Sequence, residues 1–257
     1  MLYVLKIAYD GTDYAGWQRQ KNALSVQQCL EEAVMTALGI DVRITASGRT
    51  DAGVHAAGQV CHFKAELTVP AERMPDCLNV YLPPSIRILE GWEGVEGFDA
   101  CRSAKRKTYR YTLYEGVREN PLLERYATRV EKFPPMEKMQ AVARALEGEH
   151  DFKAFCASGS SAKTTVRTVY SVKLCPRVEY GVQVLDVFVC GNGFLYNMVR
   201  TMVGELLDVA SGRRSMESLQ EAYATGARNL VGKNFAAKGL TLMSVEYEEN
   251  KDREEIL

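Results

Sequence analysis

The sequence predicts an α+β fold in two halves, residues 1–104 and 105–257, and three observations carry that prediction. Each half mixes segments of alternating apolar and polar residues with segments of helical period. No succession of strand–helix–strand units with a glycine-rich phosphate fingerprint appears, which sets aside a doubly wound parallel sheet. A chain of 257 residues, 46% of them apolar, can bury one large core or two ordinary ones.

Tyr3 to Asp10 alternates and reads as a strand, followed by the loop Gly11 to Trp17, whose two glycines are a weak phosphate-cradle signal. Ser25 and Gln28 make a candidate capping box for a helix whose apolar face is Val26, Leu30, Ala33, Val34, Ala37 and Leu38, and Gly39 ends it. Val42, Ile44 and Ala46 alternate as a second strand, and Gln59 to Lys64 reads as extended. Pro70 to Leu82 reads as a helix broken by Pro75 and stopped by Pro83-Pro84, with Ser85 to Trp92 extended after it.

The second half opens with a strand over Thr108 to Glu115, where Tyr109, Tyr111 and Leu113 share one face. A helix over Met136 to Leu146 stops at Gly148, and Glu149 to Ser161 reads as a polar loop. Thr165 to Leu174 and Val182 to Cys190 are β-rich, joined through Arg177 to Gly181. Residues 194–210 carry the strongest helical stripe: Leu195, Met198, Val199, Met202, Val203, Leu206 and Ala210. A helix over Ser215 to Thr225 and a strand over Leu240 to Tyr247 complete the expected elements.

No apolar run approaches the ~18 residues of a membrane span. Met1 to Ile7 lacks the basic segment and long apolar run of a signal peptide, so a cytoplasmic protein is expected. Seven cysteines, widely scattered and never in a C-x-x-C pair, argue for reduced thiols and against a disulfide framework or structural zinc. His55, Cys61 and His62 are close in sequence, but no fourth metal ligand accompanies them. The net charge of −1 does not mark a nucleic-acid protein by itself. Its distribution does more: Arg102, Lys105, Arg106, Lys107 and Arg110 place five cations in nine residues, while the C-terminal end gathers Glu246, Glu248, Glu249, Asp252, Glu254 and Glu255.

The stretch Ala46 to Ala56 puts two glycines, Arg49, Asp51 and His55 between two extended segments. Such a loop suits a fixed catalytic carboxylate; it also suits a tight turn in which Asp51 bonds its own backbone. Arg200, just beyond the edge of the helical stripe, reads either as a surface arginine or as one reaching into a cleft.

Ser47-Gly48-Arg49-Thr50-Asp51-Ala52-Gly53-Val54-His55 resembles the signature of the TruA-type tRNA pseudouridine synthases. Tyr9 to Thr12 with Gly16-Trp17-Gln18, Phe98-Asp99-Ala100 with Ser103-Ala104, and Lys107 to Tyr111 extend the resemblance. Gly148 to Phe152, Phe194 with Asn197 to Arg200, Val203-Gly204 and Lys238 to Leu240 follow in order, so it covers essentially the whole chain. It implies two α+β halves sharing an antiparallel sheet with the active-site cleft between them, a homodimer, tRNA as partner, and no cofactor or metal. It further implies conversion of uridine to pseudouridine at positions 38, 39 and 40 of the anticodon stem-loop.

Asp51 then matches the nucleophile; attack at C6 of the ring and at C1′ of the ribose are both compatible with a carboxylate. Arg49 matches the residue that intrudes to hold the target base out of the stack, with a phosphate contact as its alternative. Tyr109 matches the tyrosine that stacks on the extruded uracil, with a core tyrosine as its alternative. Arg200 matches the arginine paired with the catalytic acid. Phe98, Asp99, Ala100, Cys101 and Arg102, together with Ala162, Lys163, Thr164, Thr165 and Val166, correspond to segments that touch RNA. Lys105, Arg106, Lys107 and Arg110 supply cations for phosphates. Cys101 replaces the arginine usual in the family and Arg102 an aromatic residue; if this stretch is a strand, that shift turns the cation to the opposite face. A catalytically inactive tRNA-binding protein of the same fold is the competing reading, against which the joint presence of Asp51, Arg49, Tyr109 and Arg200 speaks.

Overall fold

The computed structural model describes residues 1–159 and 162–248. Ser160, Ser161 and most of the acidic C-terminal run, from Glu249 on, lie outside them. The protein is mixed α+β, with ten mostly antiparallel strands among the described residues. It divides into two compact units: Met1–Lys107 joined by the end of the chain from Met243, and Thr108–Leu242. The sequence reading leaves everything after residue 104 in the second half; in the structure Lys105 to Lys107 and the chain from Met243 group with the first unit.

In the first unit β1 (Leu2–Tyr9) lies between β4 (Ile86–Glu93) and β3 (His55–Lys64), antiparallel to both, with Lys6 opposite Val60 and Val4 opposite Trp92. Tyr3, Val4 and Leu5 are all fully buried, so the period-two pattern of β1 marks a strand covered on both faces. The short β2 (Thr45–Ala46) adds to β3 ahead of the Asp51 loop, and is only the end of the strand expected from Val42. Helix α1 (Val26–Leu38) starts where Ser25 Oγ accepts the Gln28 amide and ends at Gly39, whose φ of 69° suits glycine. The return arm of the capping box is not made, because the Gln28 side chain donates instead to Glu32 at 2.9 Å. Pro75 does not break a helix. It sits in the first turn of α2 (Met74–Leu78), after a 3₁₀ turn over Ala71–Arg73, where its missing N–H costs nothing.

The second unit runs β5 (Arg106–Glu115, from Thr108 on), β6 (Thr128–Val130), α3 (Met136–Leu146), β7 (Gly148–Asp151), β8 (Val166–Glu179), β9 (Val182–Gly191), α4 (Met198–Ala210) and α5 (Met216–Thr225). Its strands pair in the order β5-β9-β8-β7, with β6 parallel on β5. Three elements differ from the expectation. The polar run Gly148–Asp151 is a strand, because its backbone completes the β8 ladder and His150 stacks on Tyr223 at 4.1 Å between centroids, within 8° of parallel. The β8–β9 hairpin turns on Tyr180 and Gly181 alone, both at positive φ (46° and 76°), rather than on five residues. Helix α4 starts at Met198, not 194, since Asn197 adopts the left-handed conformation, φ 63°, that helices exclude. The last strand, β10 (Leu240–Glu246), carries the chain between the two units' ranges; in the first, a Cβ on Gly58 would meet the Met243 carbonyl at 2.5 Å. No helix among the described residues is long and apolar enough to cross a membrane.

Candidate active site

The predicted site residues fall into two groups, one in each unit. In the first, the loop from Ser47 to Val54 is tied down at nearly every residue. Ser47 N–H donates to the Val60 carbonyl at 2.7 Å, which anchors the loop to β3. Ser47 Oγ donates to Gln59 Oε1, and Gln59 Nε2 donates to the Gly48 carbonyl at 2.9 Å. Lys107 Nζ donates to the Ser47 carbonyl at 2.6 Å, so this cation, expected at a phosphate, also holds the loop base.

Behind the loop, the Thr50 hydroxyl and the Tyr9 phenol share a buried hydrogen bond of 2.8 Å, and burial pushes the Tyr9 phenol up to about 12, which keeps it neutral. The Thr50 carbonyl accepts the Trp17 amide at 3.0 Å, and the Tyr14 carbonyl accepts the Gly53 amide at 3.3 Å. Across the turn the Val54 amide donates to the Asp51 carbonyl at 3.1 Å. Asp51 is half-buried and Arg49 is exposed.

The glycine-bearing loop after β1 is therefore a brace. A Cβ on Gly11 would sit 2.0 Å from the Val54 carbonyl oxygen, and one on Gly16, which also has φ 90°, 2.6 Å from the Thr50 carbonyl oxygen. Only glycine lets the two backbones approach so closely. His55 joins the same contact: its Nδ1 accepts the Gly11 amide at 3.0 Å and lies 3.2 Å from Asp10 Oδ1. One ring nitrogen cannot accept an amide and donate to a carboxylate together, so with the Gly11 bond made the ring proton belongs on Nε2. Cys61 is buried in β3, and His62 Nδ1 accepts the Ala100 amide at 3.1 Å. No group of three or more candidate metal ligands occurs among the described residues.

Residues 98–102 form a turn, not a strand. Asp99 Oδ1 accepts the amides of Cys101 and Arg102 at 2.9 and 2.8 Å, and both of those side chains are exposed. The alternation argument for a cation turned to the wrong face therefore does not apply. Phe98 packs on His62 and Tyr247, and Ala100 is fully buried. Lys105 pairs with Glu248 at 2.6 Å, and Arg106 is exposed.

In the second unit Tyr109 is 9% exposed, with its ring edge-on to Phe194 at 5.3 Å. Arg200, on the first turn of α4, donates through Nε to the Phe235 carbonyl at 2.7 Å and through Nη1 to Asn197 Oδ1 at 2.6 Å. Two of its donors are thus directed by its own unit. Arg110 is half-buried and its Nε has no hydrogen-bond partner among the described residues. Ala162, Lys163, Thr164 and Val166 are exposed and Thr165 is half-buried. Thr164 accepts Arg167 Nη1 through its carbonyl and hydroxyl, and the Thr165 carbonyl accepts the Phe152 amide at 3.0 Å.

Gln59, Tyr9 and Thr50, which hold the Asp51 loop, and the Phe235 carbonyl, which holds Arg200, were not singled out from the sequence as site residues. Gln59 sits between Gly58 and Val60 in a strand that also carries His55, His62 and Lys64, so no local pattern marks it, and nothing local marks a backbone carbonyl.

A family model described as tRNA pseudouridine synthase matches residues 6–91 and 142–248. The chain belongs to that family, in its TruA branch, and is an isomerase acting on tRNA. tRNA pseudouridine synthase A of Syntrophotalea carbinolica is 43% identical over 243 residues, 95% of each chain. The tRNA pseudouridine synthase A of Halalkalibacterium halodurans is 41% identical over 237 residues, 92% of this chain and 89% of its own. Among solved structures, one chain of a Cbf5–Nop10–Gar1 complex covers 95% of this chain and 50% of its own at a TM-score of 0.39 and 11% identity, too faint a likeness to build on.

Proposed function

We propose that this isomerase converts uridine to pseudouridine at positions 38, 39 and 40 of the tRNA anticodon stem-loop, with Asp51 as the nucleophile. The observation that carries the reading is the bracing of the Asp51 loop: its backbone is bonded at Ser47, Gly48, Thr50, Asp51 and Gly53, and its base is closed by Gln59. A half-buried carboxylate on so constrained a turn is preorganised for attack rather than for solvation.

The reaction breaks the N1–C1′ bond and forms C5–C1′; C5 loses its proton and N1 gains one, so the product is an isomer. A carboxylate that engages base or sugar covalently divides this exchange into two easier steps. Arg49, exposed at the loop tip, has the freedom to enter the RNA stack and hold the base out. Tyr109, fixed by Phe194, offers a ring face for the extruded uracil, and Arg200 is assigned as the arginine of the catalytic machinery. Exposed Arg102, Arg106 and Lys163 suit phosphate contacts. The protein acts as a homodimer in the cytoplasm.

The test is pseudouridine mapping in tRNA treated with wild-type or Asp51→Asn protein. Wild type is expected to modify positions 38 to 40, and the variant to lose turnover by a factor on the order of 10⁴ while still binding tRNA. Near-wild-type turnover in the variant removes Asp51 as nucleophile, and modification at other positions removes the assigned targets. Binding without any modification by wild type would instead establish the inactive tRNA-binding reading. Sedimentation of the free protein as a monomer would remove the dimer.

A further inference from the structure

We propose that Glu205 and Tyr111 are positioning residues for Arg200, acting through the strap of chain from Gly232 to Ala236. The proposal rests on the reading of Arg200 as part of the catalytic machinery. Arg200 and Glu205 are five residues apart on α4 and at ~100° per residue project in different directions, so the helix surface does not bring their side chains together. The strap does.

Glu205 is fully buried, and its Oε2 accepts the Gly232 amide at 2.6 Å. On the other side of the same residue, Arg228 Nη1 donates to the Gly232 carbonyl at 2.8 Å, so both peptide groups of Gly232 are held. The strap then lies directly on the helix backbone: a Cβ on Gly204 would meet the Lys233 carbonyl oxygen at 2.1 Å, and one on Gly232 would meet Glu205 N at 2.6 Å. Two residues further on, Phe235 and Arg200 bond reciprocally. The Phe235 carbonyl accepts Arg200 Nε at 2.7 Å and the Phe235 amide donates to the Arg200 carbonyl at 3.4 Å. At the far end Tyr111 OH donates to the Ala236 carbonyl at 2.7 Å, and the Tyr111 ring stands edge-on to Phe235 at 6.2 Å.

The guanidinium is thus aimed by a carbonyl whose strap is pinned three residues earlier by a carboxylate and one residue later by a phenol. A carboxylate is a costly choice for a helix core. Burial raises its pKa, and Oε1 has no hydrogen-bond partner among the described residues. Packing alone is better served by an apolar side chain; what the carboxylate adds is the hold on Gly232.

The test compares Glu205→Ala, Glu205→Gln, Tyr111→Phe and Arg200→Lys in steady-state pseudouridine formation, well below each variant's unfolding temperature. Glu205→Ala is expected to lower kcat by roughly 10- to 100-fold, the scale of a small misplacement in a catalytic array, with KM for tRNA changed less than about twofold. Glu205→Gln, which keeps an acceptor for the Gly232 amide, is expected to restore most of kcat. Tyr111→Phe, which deletes one hydroxyl and carries the test if Glu205→Ala does not fold, is expected to lower kcat about tenfold with KM again unchanged. In the double variant, Glu205→Ala is expected to cost little beyond Arg200→Lys, because both act on one group. Unchanged kcat in both Glu205→Ala and Tyr111→Phe, additive losses in the double variant, or a loss confined to KM overturns the proposal while the role of Arg200 stands. Full activity in Arg200→Lys instead removes that role, and the proposal with it.

Discussion

Ser47 and Gln59, twelve residues apart, are joined side chain to side chain, and neither is exposed to solvent. The same Gln59 carboxamide donates to the Gly48 carbonyl, so one β3 side chain holds two consecutive residues of the loop ahead of Asp51. Gln59→Leu keeps the bulk and removes both bonds. It is expected to destabilise the protein by about 1–3 kcal/mol, the penalty for buried polar groups left without partners. Urea unfolding measures that loss, and turnover is expected to fall further than tRNA affinity.

Gly11→Ala forces a methyl group against the Val54 carbonyl oxygen, with no flexible side chain to give way. Overpacking of this kind costs about 1–3 kcal/mol, and here the displaced atoms belong to the loop that carries Asp51. A fall in melting temperature together with a fall in kcat is the expected outcome. A variant with wild-type kcat and stability would show that this close approach is not needed.

Arg49→Ala removes an exposed side chain and is expected to leave stability unchanged. Extruding a stacked base costs a few kcal/mol, so turnover is expected to fall by roughly a hundredfold. A fluorescent base analogue at the target position should remain stacked in the variant complex; normal unstacking would remove Arg49 from the flipping step.

His62 gives the acid side of the stability curve a definite sign. Burial holds its pKa below the usual 6.5, against the pull of Asp99 and with a smaller push from Lys64, and its Nδ1 accepts the Ala100 amide as a neutral ring must. The unfolded chain therefore takes up a proton at higher pH than the folded one. The stabilisation is complete above about pH 6.5 and declines as pH falls toward the lowered folded value. His62→Asn, which offers an acceptor without a titrating group, is expected to flatten the stability slope below pH 6.5 in chemical unfolding at a series of pH values.

Cations bound to phosphates make tRNA affinity fall steeply with salt, and removing one such cation lowers the slope of log K against log salt by about 1. Arg102 is exposed on its turn, so Arg102→Ala is expected to reduce the slope by about one unit. An unchanged slope would assign the phosphates to other cations.

The sequence by itself determined the parts of this protein that depend on neighbours along the chain. The cap at Ser25, the stop at Gly39, the apolar stripes of α3 and α4, and the strand character of β1, β5, β8 and β9 follow from periods and caps within about fifteen residues. The Asp51 motif was legible for the same reason, being one uninterrupted run. Tertiary structure alone decided what depends on partners far away. Gly148–Asp151 is a strand because β8 supplies its ladder, and the turn at 98–102 is fixed in place by His62, whose Nδ1 accepts the Ala100 amide. The loop after β1 braces Asp51, rather than holding a phosphate, because Gly11 and Gly16 touch backbone some forty residues away. A side chain's type shows what it can bond to; only the register of strands and the path of loops shows what lies within 3 Å of it, and that distance separates a turn containing an aspartate from a braced one.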